Sequence, residues 1–371
     1  MYKKVAIIFT MVVLISASVI PSLIQGNDVD ADIHLDLQNE SNLVVFGDSL
    51  TTMGIGANIS IQESFDSIQS DDIVLMDETW IQNAEQDETY NDISTLIGNG
   101  NPILLVADTA DALSSEKIGY STAFMEPANV YGIAYDSMND ITYCYNSIGY
   151  ETAQAIGYAQ EWITDTKSQS TSPMSTTNPN APVVYSLTRV QSSFGEMTVD
   201  TKYTKYEVDN DTNLILTEYC LTGDPYTEDS IWDNWIAIAD MKISCNHENS
   251  SILAYGPTTS SSTRTTHDVE FNGTYSGVYI NVDRSYSVNE SSTTVSKSGQ
   301  SFSVYHDIDE WGSDKLSTKI MKPGTLSIAD KGSNVFSYQE TEYYAVTYYK
   351  DSIVVSDKYV TDECTMTVTL I

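Results

Sequence analysis

The chain has 371 residues, of which 41% are hydrophobic, so it is long enough for two ordinary domains that each contain a core. Asp and Glu number 52 against 17 Lys and Arg, and the formal net charge is −35. Nucleic acid is excluded as a default partner, because binding to phosphates requires clustered cations. Only four histidines are present, which excludes His-rich metal sites and leaves little material for His-dependent catalysis.

The first residues are typical of an export signal. Lys3 and Lys4 precede an apolar run over residues 5–20, which ends at Pro21. We predict that residues 1–26 are a signal peptide; a retained anchor is the alternative, because a bilayer span needs about 20 apolar residues. The protein is therefore expected to be secreted or held at the cell surface, with no membrane span in the mature chain. Sequons for glycosylation occur at Asn39, Asn58, Asn210, Asn249, Asn272 and Asn289.

The acidic excess is uneven along the chain. Residues 27–165 contain Lys117 as their single cation. Such a surface repels itself until counterions screen it, so high salt or an acidic medium would relieve the repulsion. This indicates an extracellular protein of a salt- or acid-adapted microbe, and cation binding by the surface as a whole is the alternative.

Residues 43–165 are predicted to form an acidic α/β domain. Apolar strands alternate there with amphipathic stretches, as expected of a flavodoxin-like, three-layer fold with a mostly parallel sheet. The predicted strands are 43–46, 73–76, 103–107, 130–135 and 141–145, and the predicted helices are 58–68, 90–97 and 149–164. In the last helix, Ala153, Ile156, Ala159 and Trp162 share one face, which we predict to be core.

An acidic residue follows each of four predicted strands: Asp48, Asp77, Asp108 and Asp136. The carboxyl ends of parallel strands meet at one edge of a sheet, so these side chains are expected to converge there. Carboxylates are hard oxygen ligands that suit Ca²⁺ or Mg²⁺. The sequence thus offers a possible calcium or magnesium site, with solvated loops as the alternative, and no other cofactor is predicted.

The stretch Val44-Val45-Phe46-Gly47-Asp48-Ser49-Leu50-Thr51 resembles the first block of the GDSL, or SGNH, esterase family. The resemblance implies that Ser49 is a nucleophile and that Gly47 contributes to an oxyanion hole. A serine needs a base to activate it, and that family supplies one from a late D-x-x-H. Here the residues three before the histidines are Ala31, Ser244, Arg264 and Ser303. The competing interpretation of residues 44–51 is structural: a strand, a tight turn and the N-cap of a helix.

Residues 166–182 are rich in Ser, Thr, Pro and Asn and are predicted to form a linker. Beyond it, residues 183–371 alternate Thr, Tyr, Val and Ile at short spacing, which predicts an antiparallel β-sandwich. Four cysteines in an oxidising compartment make disulfides plausible. Cys220 and Cys245 lie in neighbouring predicted strands and are the favoured pair, and buried thiols are the alternative.

Residues 277–308 are predicted to form a long hairpin, with its turn at residues 289–292. Its Ser, Thr and Tyr content resembles the stem segments of leukocidin-type pore-forming toxins, whose strands alternate lipid-facing and lumen-facing residues. Charged residues interrupt the alternation at Asp283, Arg284, Lys297 and Asp307. Ordinary sandwich strands explain the same pattern.

Two other features of the second domain suggest binding. His306 lies next to several acids, and imidazole titrates near neutrality, so this is a candidate pH-sensitive or metal-binding spot; a surface turn is the alternative. The pairs Tyr343-Tyr344 and Tyr348-Tyr349 offer aromatic faces for a glycan, although in a sandwich one of each pair points inward.

These patterns predict a non-enzymatic binding or interaction protein, with an extracellular protein or a glycan as its partner. A serine esterase that uses Ser49 and a pore-forming protein that uses residues 277–308 are the alternatives.

Overall fold

A computed structural model describes most of the chain beyond residue 41. The described residues are 42–47, 50, 59–61, 64–70, 72–84, 86–169, 183–192, 195–209, 211–225, 235–247, 250–261, 266–288, 291–308, 318–330, 335–340, 343–350, 353–360 and 364–371. The predicted signal peptide and residues 170–182 of the predicted linker lie outside them. No helix of the described ranges is long and apolar enough to cross a membrane.

The described chain is mostly β-structure. Its helices are α1 (Glu78–Asn83), α2 (Gln86–Gly98), α3 (Ser115–Ile118) and α4 (Thr152–Gln169). Its first strands are β1 (Leu43–Phe46), β2 (Ile59–Ile61), β3 (Ile73–Asp77), β4 (Ile103–Val106), β5 (Thr122–Glu126), β6 (Val130–Asp136), β7 (Ile141–Ile148), β8 (Val183–Ser192), β9 (Gly195–Glu207), β10 (Thr212–Pro225) and β11 (Trp235–Asn246). The remaining strands are β12 (Ser250–Gly256), β13 (Thr266–Tyr275), β14 (Val278–Ser287), β15 (Ser291–Ser298), β16 (Ser301–Ile308), β17 (Lys319–Met321), β18 (Gly324–Asp330), β19 (Val335–Glu340), β20 (Tyr343–Lys350), β21 (Ile353–Val360) and β22 (Cys364–Thr369).

One 12-stranded mixed sheet runs through both predicted domains, in the order β12-β18-β10-β9-β8-β7-β6-β4-β3-β1-β2, and β17 also pairs with β10. The strands β1 and β4 are apolar throughout, and β3 is apolar up to its last residue, Asp77. These three strands pair in parallel, as buried central strands do. From β6 onward most of the pairing is antiparallel. The flavodoxin-like prediction is therefore wrong.

The physical reason is the short connection between β6 and β7. Only residues 137–140 separate these strands, whereas a parallel pair needs a crossover of a dozen or more residues. Asp136 Oδ1 accepts hydrogen bonds from the backbone N–H groups of Met138 and Asn139, and Asp140 adopts φ 55°. These features close a tight hairpin turn. The predicted helix over residues 58–68 is also wrong, because β2 begins at Ile59.

Each face of the large sheet covers a separate part of the core. On one face, Ile156, Ala159 and Trp162 of α4 pack with Tyr145 of β7, which confirms the predicted core stripe except for Ala153, which is only half-buried. On the other face, β5 and the C-terminal strand β22 pair with each other and pack on β7 and β9. The buried amide of Asn146 on β7 accepts from the N–H of Met125 on β5 at 3.0 Å, so this β5 donor is satisfied by a side chain of the large sheet.

β19 pairs with β22 and completes a three-stranded sheet with β5. The other strands form a five-stranded antiparallel sheet, in the order β15-β16-β11-β20-β21, and a separate two-stranded hairpin, β13–β14. The predicted hairpin over residues 277–308 is wrong. β14 pairs with β13 through a turn at Ser276 and Gly277, whereas β15 pairs with β16 through a turn at Gly299. Both glycines adopt positive φ, which places the turns there.

Candidate functional site

The predicted metal-binding acids are only partly brought together. Asp48 lies outside the described residues. Asp77 is the last residue of β3, and Asp108 follows the neighbouring parallel strand β4. However, Asp77 Oδ1 accepts from the N–H of Trp80 at 2.6 Å and caps α1. Because β6 runs antiparallel to β4, Asp136 lies at the other end of the strands, away from Asp77 and Asp108. Among the described residues no group of three or more His, Cys, Asp or Glu is placed to hold a metal ion.

The esterase nucleophile Ser49 also lies outside the described residues, so its role stays a prediction. Three histidines are described, and His267 and His306 lie on β13 and β16, outside the sheet that contains β1. His247 contacts Thr325 of β18, near the opposite edge of the large sheet, and His306 contacts Tyr286 of the β13–β14 hairpin. The glycine at position 47 has a structural explanation, because the Cβ of any other residue would lie 2.2 Å from Oδ2 of Asp77.

The cysteines that were predicted to form a disulfide are both thiols in this structure. Cys220 lies on β10 of the large sheet, and Cys245 lies on β11 of the five-stranded sheet, where its Sγ is 3.4 Å from Nε2 of His247. The predicted disulfide is not formed in this structure, in which both residues remain thiols and the thiol of Cys245 contacts His247 instead. Burial raises the pKa of the Cys220 thiol.

A cavity of about 420 Å³ opens on the face of the large sheet next to α4. Four direct register partners on adjacent strands, Tyr143, Tyr185, Lys202 and Glu218, form a row across its wall. Because paired residues project to the same side of a sheet, the row presents two aromatic rings and two opposite charges side by side. We call these four residues the cavity row.

The cavity row is held together by direct contacts. The rings of Tyr143 and Tyr185 are stacked, with centroids 5.4 Å apart and planes inclined by 14°. Lys202 Nζ lies 5.8 Å from the ring centroid of Tyr185 and 3.5 Å from Glu218 Oε2. Burial raises the pKa of the Tyr185 hydroxyl, so both tyrosines are neutral at physiological pH.

Residues of two other elements complete the cavity. Trp162 and Asp165 of α4 line one side, and Arg284 of β14 lines another. Arg284 Nη1 donates to Glu218 Oε1 at 3.1 Å, while Nη2 donates to the carbonyl of Pro323. Burial lowers the pKa of Arg284, and Glu218 opposes that shift. Each carboxylate oxygen of Glu218 therefore contacts one cation, Oε1 that of Arg284 and Oε2 that of Lys202.

This cavity is not evident from the sequence. Its signal was a set of charged residues in the middle of strands, namely Asp200, Lys202, Glu218 and Arg284. Arg284 was noted only as an interruption of the hairpin pattern. The tyrosines proposed as a glycan platform, residues 343–344 and 348–349, lie on β20, whose side chains the structure does not describe.

No family model matches this sequence. No curated protein matches it either. Similar solved structures include one described as a pore forming protein, with 11% identity and a TM-score of 0.31, covering 50% of this chain and 89% of that chain. Clostridium perfringens delta-toxin has 12% identity and a TM-score of 0.32, covering 50% of this chain and 86% of the toxin. The Clostridium perfringens NetB toxin in its membrane-inserted form has 11% identity and a TM-score of 0.26, covering 50% and 94%.

These neighbours are pore-forming toxins at low structural similarity, and nothing in the comparisons supports the esterase resemblance. Superpositions with TM-scores of 0.26 to 0.32 assign no function to this chain.

Proposed function

We propose that this chain is an exported, non-enzymatic binding protein and that the cavity on the large sheet binds a neutral, polyhydroxylated ligand, such as a short glycan. The observation that carries the proposal is the cavity row, in which stacked tyrosines adjoin an ion pair. The N-terminal sequence supports export.

The lining combines the two kinds of contact that a sugar ring needs. Tyr185 is half-buried and offers part of its ring to the apolar C–H face of a sugar. Lys202 and Arg284 provide hydrogen-bond donors, while Asp200 and Glu218 provide acceptors. A concave site with aromatic walls and a few convergent polar groups is typical of small-molecule binding.

The charges of the lining favour a neutral ligand over an ion. The carboxylates of Asp165, Asp200 and Glu218 face the cations of Lys202 and Arg284. An anion or a cation would therefore approach groups of its own sign as well as groups of the opposite sign. Hydroxyl groups both donate and accept, so they can satisfy both kinds of side chain.

The polar groups are also fixed before a ligand arrives. Glu218 is held by Arg284 at one oxygen and by Lys202 at the other. Side chains that already occupy one rotamer lose less conformational entropy when a ligand binds. This pre-organisation supports binding rather than a passive surface cleft.

Calorimetric titration of the full chain with maltose, cellobiose and chitobiose tests the proposal. We expect saturable binding of at least one of them, and Tyr185→Ala should weaken it by about tenfold or more through loss of the stacked ring. Tyr279→Ala is the matched control, since Tyr279 is an exposed tyrosine of β14 on the outer face of its hairpin. If no sugar binds, or if both variants weaken binding equally, the glycan proposal is wrong.

Membrane attack is a second candidate, favoured by one observation. The β13–β14 hairpin pairs with no other strand of the described chain, and it buries Val269, Phe271, Ile280 and Val282 on one face while exposing polar residues on the other. Dye release from phosphatidylcholine vesicles tests this function. Release that rises with protein concentration, and that a boiled sample does not produce, would support it, and intact vesicles would rule it out.

A further inference from the structure

The β13–β14 hairpin has one face on the body of the protein and one face in solvent. Its inner face packs against the large sheet, with β13 next to β12 and β14 next to β17. The approach is close, because a Cβ at Gly256 of β12 would lie 2.9 Å from Cα of Val269. Side chains alternate between the two faces of a strand, so the residues that alternate with Val269 form the exposed outer face of β13.

Asn272, Gly273 and Thr274 form an N-x-T sequon on this outer face. Of the six sequons in the sequence, it is the one whose asparagine lies within the described residues. Asn272 and Thr274 are two positions apart on one strand, so their side chains project to the same side, and both are exposed. The structure therefore presents the asparagine amide and the threonine hydroxyl of the sequon together.

The reactive atoms of this sequon are available to a transferase. Oδ1 of Asn272 accepts a hydrogen bond from the hydroxyl of Tyr279 at 2.9 Å. No described residue forms a hydrogen bond with Nδ2 of Asn272 or with Oγ1 of Thr274. The contact with Tyr279 orients the amide, so that Nδ2, the atom that becomes glycosylated, faces away from the tyrosine hydroxyl.

Tyr279 places an aromatic ring beside the sequon. It is the register partner of Thr274 on β14, it lies on the same outer face, and it is 57% exposed. Diagonal neighbours across a strand pair are within reach of an aromatic side chain, and the hydrogen bond to Asn272 uses that reach. The apolar C–H face of a sugar packs on an aromatic ring, so a sugar attached to Nδ2 would have a ring to contact.

We propose that Asn272 is an N-glycosylation site and that the ring of Tyr279 packs against the first sugar of the glycan. The co-substrate is an oligosaccharide carried on a polyisoprenyl diphosphate. Nδ2 forms a bond to the anomeric carbon of the first sugar, and the bond from that carbon to the diphosphate oxygen breaks. The lipid diphosphate leaves with the bonding electron pair, and a base of the transferase takes the proton from Nδ2.

A glycan at this position keeps the end of the hairpin in water. Asn272 lies about 13 Å along the strand from the turn at Ser276 and Gly277. The hydroxyl groups of an oligosaccharide are costly to bury in hydrocarbon, so a glycosylated hairpin does not pass its turn through a bilayer. Glycosylation at Asn272 thus favours ligand binding over membrane attack.

Secretion of the full chain from yeast, behind an export signal of the host, tests the site. The inference rests on export, which is part of the proposed function, but not on the ligand of the cavity. Because the host signal supplies the export, a failure counts against the site and not against export of the natural chain. Endoglycosidase H leaves one N-acetylglucosamine on each glycosylated asparagine, and peptide mass spectrometry then gives the occupancy of Asn272, which we expect in most chains.

Thr274→Val is the matched control, since it removes the hydroxyl of the sequon, keeps the β-branched shape and leaves Asn272 in place. The occupancy of Asn272 should fall at least about tenfold in this variant, because the sequon requires Ser or Thr. Glycosylated host proteins from the same culture show that the transferase is active. An unmodified Asn272 in the secreted wild-type chain, or equal occupancy in the Thr274→Val variant, would overturn the proposal.

The role of Tyr279 has a separate readout. With a single sugar on Asn272, the melting temperature should exceed that of the Asn272→Gln chain by about 1 °C or more, through packing of the sugar on the ring. Tyr279→Phe keeps the ring and should retain this difference, whereas Tyr279→Ala should abolish it, each measured against the same variant with Asn272→Gln. Equal differences in the Phe and Ala variants would show that the ring does not contact the sugar and would overturn this part of the proposal.

Discussion

Arg284 on the β13–β14 hairpin and Glu218 on β10 form an ion pair with an Nη1–Oε1 distance of 3.1 Å. The same guanidinium donates to the carbonyl of Pro323 and passes beside Gly324, where a Cβ would lie 2.9 Å from Nη2. A side chain at Gly324 would thus compete with Arg284 for space. The hairpin and the cavity wall therefore share one cation, so a change in either one is expected to affect the other.

Arg284→Met tests the strength of this link. The substitution keeps most of the aliphatic stem but leaves Glu218 with Lys202 as its remaining cation, at 3.5 Å. Both members of the broken pair are about one-fifth exposed, so we expect a loss of about 1 to 2 kcal/mol in the free energy of unfolding. Urea unfolding measures it. Lys297→Met, at an exposed lysine, should change the free energy by less than about 0.5 kcal/mol; equal effects would contradict the prediction.

Gly47 is predicted to be intolerant of any side chain. It adopts φ 123°, and a Cβ there would lie 2.2 Å from Oδ2 of Asp77, whose carboxylate caps α1. Gly47→Ala should cost about 3 kcal/mol or more, from both steric overlap and backbone strain. Gly277→Ala is the control, because Gly277 also has a positive φ, of 88°, but no atom lies within 4 Å of its Cβ position.

Chemical denaturation of both glycine variants gives the comparison. The control should lose only about 1 kcal/mol, the conformational cost alone. Similar losses in the two variants would show that Asp77 moves aside at no cost, and the steric explanation for Gly47 would then be wrong.

The surface charge leads to a prediction about salt. With a net charge of −35, the folded chain is destabilised by self-repulsion that counterions screen. We expect the melting temperature at neutral pH to rise by several degrees between dilute buffer and molar KCl. Sucrose at matched osmolality is the control, since it does not screen charge. A melting temperature that does not respond to KCl would remove the interpretation of the acidic surface as environmental adaptation.

Strand positions could be predicted from the sequence wherever apolar runs were continuous. The predicted strand over residues 43–46 matches β1 in both bounds, and those beginning at residues 73, 103, 130 and 141 start where β3, β4, β6 and β7 start. Strand direction was predicted correctly for β1, β3 and β4, which pair in parallel, but not for β6, which runs antiparallel to β4 and β7. The five residues between the predicted strands ending at 135 and starting at 141 are too few for a parallel crossover, so this error could have been avoided.

The cavity could not be predicted from the sequence because it depends on register across four strands. Tyr143 and Tyr185 lie on strands that the predicted linker separates, and Lys202 and Glu218 belong to the next two strands. Their proximity follows from pairing that local patterns do not encode. Likewise, the burial of His306 depends on the packing of a hairpin from elsewhere in the chain, so the acids next to it in sequence suggested a surface turn, which is wrong.

Thiol chemistry distinguishes the cysteines. Cys220 is half-buried in the cavity wall, whereas Cys144 is fully buried and burial raises its pKa to about 12. We expect Cys220 to react with 4,4′-dithiodipyridine at least tenfold faster than Cys144 in the native chain, because reactivity follows exposure and thiolate content. Peptide mass spectrometry identifies each site without prior reduction. Equal rates for the two thiols would contradict the packing of β7, and a Cys220 that reacts only after reduction would restore the disulfide prediction.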